Sequence, residues 1–96
     1  MSRFSFELPP DFADYEWEVD AKGWFSEARI FVSGKRYRLN FYDPVRLGQS
    51  IEDELKRDRA FFEPNLVVVQ SVTRANMERA AALLAHSSLA AALVEE

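Results

Sequence analysis

Three carboxylates spaced two residues apart (Glu16, Glu18, Asp20) and a set of arginines and aromatics between Phe25 and Tyr42 are the residues whose types and spacing could do chemistry. On one strand face the carboxylates could share a proton or hold a divalent cation. That work needs burial to move one pKa, or a ring of further oxygen ligands, and the surrounding sequence offers neither. They read as a solvated or partner-facing acidic edge. His86 is the single histidine, near the end of a helical pattern, where its charged form offsets the helix dipole. Ser87 and Ser88 are its neighbours in sequence but are not thereby positioned as nucleophiles. The three glycines are scattered, so no phosphate-cradling loop exists, and there is no cysteine for thiolate chemistry or disulfides. The sequence thus predicts no catalytic residue, no cofactor and no metal, in a non-enzymatic protein.

The arginine and aromatic set carries more. Phe25, Arg29 and Phe31 alternate onto one face of a predicted strand, with Arg36, Arg38 and Tyr42 beside them on the next. Bases can stack on such rings while guanidinium groups meet phosphates, which is how sheets bind single-stranded nucleic acid. A net charge of −4 disfavours that use, because neutralising phosphates usually leaves a domain basic. The charge is also sorted: residues 1–20 hold six acids and one base, and residues 21–42 hold five bases and one acid.

With Tyr15–Asp20 as a strand, one sheet face would run from an acidic edge (Glu16, Glu18) through an aromatic centre (Phe25, Phe31) to a basic edge (Arg36, Arg38). Such a face is self-complementary about a two-fold axis and has the apolar centre and charged rim of an interface. The favoured expectation is therefore a protein-protein interaction module, either a homodimer through this face or a binder of another protein. A small dimeric enzyme or ligand carrier, with a pocket lined by Trp17, Trp24 or Tyr37, is the remaining alternative, although those residues are more simply core.

The elements that must position these residues follow from periodicity. Residues 3–8 alternate and stop at Pro9-Pro10, a short first strand. Tyr15–Asp20 alternates and ends before Gly23. Parity favours a two-residue turn at Gly34-Lys35, pairing Val32 with Tyr37 and placing Phe31 beside Arg38. Asp43-Pro44 starts a helix carrying Leu47, Ile51 and Leu55 on one stripe and running to about residue 60, with Glu52-Lys56 and Asp53-Arg57 as i,i+4 pairs. Gly48 either permits close approach to the sheet or marks a break.

Leu66–Val69 is a continuous apolar run, which reads as a strand buried on both faces and reached by a crossover to a parallel pairing. It is interior, or its outer face is covered. Thr73 caps a last helix with Met77, Ala80, Ala81 and Leu84 inward, and the segment after His86 either continues that helix or restarts at Ser88.

The fold class is α+β: a single mostly antiparallel sheet in the order β-β-β-β-α-β-α with helices packed on one face. The first strand is placed beyond the Leu66–Val69 strand. The chain's 96 residues, 48% hydrophobic and 14% aromatic, fit one domain over 1–96 that can build its own core. No window holds the apolar residues of a membrane span and no leader pattern opens the chain, so a soluble cytoplasmic protein is expected. Nine arginines against three lysines suggest a GC-rich bacterial source.

Overall fold

In a computed structural model of the chain, which describes residues 4–96, the alternating segment Tyr15–Asp20 is not a strand. A turn of 3-10 helix at Phe12–Asp14 precedes it, and the segment itself lies in helix α1, Glu16–Lys22, with Tyr15 as its N-cap. Phe12, Tyr15 and Val19 lie three and four residues apart and turn inward together, so the alternation is coincidental. Glu16 and Glu18 in the first turn and Lys22 in the last suit the dipole, and Gly23 closes the helix in the left-handed region at φ 73°, its N–H donating to the Val19 carbonyl. Trp17, expected inside, is 69% exposed.

The sheet has four strands in the order β1-β2-β3-β4: β1 is Phe4–Glu7, β2 Trp24–Val32, β3 Lys35–Tyr42 and β4 Leu66–Val68. The α+β architecture stands, with three antiparallel strands and β4 parallel to β3 as the crossover required. The first strand sits beside β2, in the position expected for Tyr15–Asp20, instead of beyond β4. There Phe4 and Phe6 lie opposite Val32 and Ile30, apolar against apolar. Arg3 of the expected strand lies outside the described residues.

The β2–β3 turn is Ser33-Gly34, not Gly34-Lys35. Both residues have positive φ, 53° and 76°, as the type I′ turn matching strand twist requires. Val32 therefore pairs with Lys35, Ile30 with Tyr37 and Phe31 with Arg36. The shift from the expected register is two residues, so every side chain keeps its face.

One face of the sheet builds the core. Ala28, Ile30, Val32, Tyr37, Leu39 and Phe41 are buried there, together with Phe12, Val72 and Met77, Ala81 and Ala85 of the last long helix, α3 (Arg74–Ala85). Thr73 caps α3 by accepting from the Asn76 N–H at 3.2 Å. After His86 the chain restarts as a turn of 3-10 helix, Ser88–Ala92, capped by Ser87.

The crossover helix α2, Pro44–Lys56, begins as expected, with Asp43 accepting from the Arg46 N–H at 2.7 Å. It ends at Lys56, short of residue 60, and none of its residues is buried. Glu52–Lys56 forms at 3.3 Å, and a second pair joins Glu54 and Arg59 at 2.9 Å. Nothing lies within 4 Å of where a Gly48 Cβ would be, so this glycine serves no approach to the sheet.

Candidate functional site

Three strands and two loops assemble the outer face of the sheet. Even-numbered residues of β3 point outward: Arg36, Arg38, Asn40 and Tyr42. Opposite them on β2 stand Arg29 and Phe31, with Arg29 facing Arg38 and Phe31 facing Arg36 and Ser5. Phe31 is 44% exposed. Four of the sequence-predicted residues (Arg29, Phe31, Arg36, Arg38) are thus brought together on one exposed surface.

The other four are not part of it as expected. Phe25 is 5% exposed and belongs to the core, edge-on to Phe12 at 5.1 Å. The cause is a β-bulge between Phe25 and Ala28, which inserts an extra residue and lets both side chains face inward. Glu16 and Glu18 are on α1, where a spacing of two turns their carboxylates apart. Glu16 instead accepts from the Arg74 N–H at the start of α3, 2.8 Å away, so it ties two helices together. The acidic edge of the proposed self-complementary face does not exist.

Tyr42 does lie on the outer face but is buried. The return segment 57–65 covers this end of the sheet: Phe61 packs edge-on to the Tyr42 ring at 6.3 Å, and the Tyr42 hydroxyl donates to Glu63 at 2.6 Å. Burial first, and then the Glu63 carboxylate, push the hydroxyl's pKa up to about 12. Asn40 is buried beside it and donates to the Pro64 carbonyl at 2.8 Å.

Two carboxylates that sequence reasoning did not place answer the exposed arginines. Arg29 Nε meets both oxygens of Glu96, at 3.1 and 3.2 Å, and Arg36 lies 3.7 Å from Glu7. Arg29, with Arg36 and Arg38 nearby, holds the Glu96 carboxyl below its usual range. The only sequence signal for Glu96 was its charge.

The expected pocket of Trp17, Trp24 and Tyr37 is not assembled. Trp17 is exposed on α1, Trp24 stands opposite Tyr42, and Tyr37 is in the core. The space between sheet and α3 is filled by side chains such as Ile30, Leu39 and Met77. A surface depression of about 560 Å³ borders the arginines, lined in part by Glu7, Glu27, Arg29, Arg36, Arg74 and Glu96. Among the described residues no group of three metal-ligating side chains comes together, and no helix is long and apolar enough to cross a membrane.

A second surface was not foreseen. β4 is an edge strand, with Leu66 and Val68 36% and 47% exposed. The Asn40 N–H donates to the Asn65 carbonyl and the Val69 N–H to the Tyr42 carbonyl. The alternation of strand bonding therefore turns the peptide groups of Leu66 and Val68 away from β3, toward the free edge. Of the ten large apolar side chains exposed among the described residues, five (Val45, Leu55, Phe62, Leu66, Val68) lie between residues 44 and 68.

No protein-family model, curated protein sequence or solved structure matches the chain.

Proposed function

We propose that this protein is a non-enzymatic protein-interaction module that forms a homodimer through the free edge of β4. The observation that carries the reading is a conflict at Leu66–Val69. The sequence there is that of a strand covered on both faces, yet in the single chain it is an uncapped edge with two exposed apolar side chains. Such edges pair with other strands unless charge, proline or a covering element prevents it. Antiparallel pairing of β4 with its own copy about a two-fold axis would extend the sheet to eight strands and satisfy the outward peptide groups.

The surface area agrees. The chain exposes 6403 Å², whereas a monomer of its 11.1 kDa is expected to expose about 5,700 Å². The excess of roughly 700 Å² is surface that a compact monomer of this mass would bury.

Light scattering tests the proposal. Wild type is expected to be a dimer whose mass is insensitive to salt. Val68→Lys is expected to be a folded monomer, whereas Phe31→Asp should leave the dimer intact. A wild-type monomer at all concentrations, or an unchanged mass for Val68→Lys, would sink the reading. A monomer from Phe31→Asp alone would return the interface to the outer sheet face.

Binding of single-stranded nucleic acid keeps one observation in its favour, the exposed Phe31 among Arg29, Arg36 and Arg38. Glu7 and Glu96 compete for those guanidinium groups. This second reading requires affinity for an oligothymidylate that falls steeply with salt and is lost on Arg38→Glu.

A further inference from the structure

Segment 94–96 lies along β3 in a manner that defines a site. β4 covers the β3 edge only at Asn40–Tyr42. Beyond it the same edge is taken by the end of the described chain: the Glu96 N–H donates to the Arg36 carbonyl at 3.0 Å, while Asn65 accepts from the Val94 N–H at 2.7 Å and donates to the Val94 carbonyl at 2.8 Å. Asn65 also donates to the Arg38 carbonyl. Val94 is therefore nearest Arg38 and Glu96 nearest Arg36, so the segment runs antiparallel to β3.

Its side chain supplies what the face lacks. Arg29 and Arg38 are direct cross-strand partners, an arrangement of like charges that destabilises a sheet unless an anion intervenes. Glu96 is that anion.

One ladder hydrogen bond joins the segment to β3, two more with Asn65 hold Val94, and the Arg29–Glu96 pair, about a third exposed on both sides, is screened by solvent and adds little. The depression beside Glu96 is bordered by Arg29, Arg36 and Arg74 and by Glu7 and Glu27.

We propose that the β3 edge at Arg36–Arg38, with Arg29, is a docking site for an acidic extended segment of a partner protein, which adds to the sheet by strand augmentation and displaces residues 94–96. This surface is distinct from the β4 edge and does not require self-association.

The probe is the acetylated, amidated peptide Ala-Ala-Leu-Val-Glu-Glu, titrated into isotope-labelled full chain and followed by amide NMR. In Glu96→Ala the peptide is expected to shift Arg36, Tyr37 and Arg38 amides and the Arg29 Nε, with affinity severalfold and at most about fivefold above wild type, because the tethered competitor is weakened. Binding should vanish in Arg29→Glu/Glu96→Ala and with a peptide carrying lysines for the glutamates. Glu96→Gln, which keeps the shape of the side chain, should behave as Glu96→Ala does. Equal affinity for wild type and variants, no shift, or shifts confined to another surface would each overturn the proposal.

Discussion

The Tyr42 hydroxyl, closed under the return segment and donating to Glu63, has a titration that differs between folded and unfolded chain. Its pKa in the fold, about 12, lies above the ordinary 10.0, so folding favours the neutral form. That contribution is complete below pH 10 and disappears as pH rises through 12, and a shift of this size corresponds to about 2–3 kcal/mol. Urea unfolding of wild type is expected to lose stability over this window. Tyr42→Phe should be less stable at pH 8 but show a flatter profile between pH 10 and 12; parallel profiles would refute the assignment. Tyr42 itself was legible as an outward-facing strand residue from parity. Its burial was not, because the cover comes from residues 57–65, whose path no local pattern encodes.

At the scale of elements, capping signals were more informative than alternation. Asp43-Pro44, Thr73 and the seam at Ser88 all mark the boundaries seen, and each is a local hydrogen-bonding requirement. The segment Tyr15–Asp20 misled because seven residues of helix are too few for periods of 2.0 and 3.6 to separate cleanly. Gly23 held the better evidence: it supplies the left-handed cap of α1, and its carbonyl accepts from the Asp43 N–H at 2.9 Å. The bulge after Phe25 was illegible for a related reason, since one inserted residue reverses parity without changing composition, and with it the candidate site lost Phe25. Gly23→Ala would force a Cβ against the Asp43 carboxylate while adopting a left-handed backbone. The two effects together are expected to cost about 2–3 kcal/mol, from strain and from the disturbed cap of α2. A melting temperature within about 2 °C of wild type would contradict this.

For the whole molecule, the extents are 43 × 31 × 20 Å, and the radius of gyration of 13.8 Å exceeds the roughly 12.5 Å of a compact 96-residue domain. The elongation agrees with a helix α2 that buries no residue and with the excess of exposed surface. A second copy on the β4 edge would make the assembly, rather than the chain, the unit that covers Leu66 and Val68.

The parallel pairing of β4 has a kinetic consequence. β2 and β3 meet through a two-residue turn and need almost no loop closure, whereas β4 reaches β3 only after the intervening helix and return segment are in place. This topology predicts that the hairpin belongs to the folding nucleus and β4 to the late stage. Val67→Ala, in the middle of β4, should therefore speed unfolding several-fold with little change in the folding rate, and Gly34→Ala, which strains the turn, should chiefly slow folding. Stopped-flow rates across a denaturant series would show the reverse partition if β4 docks early. On this order of events the bare edge is the last part of the chain to become ordered, and the first at which two nearly folded chains can meet.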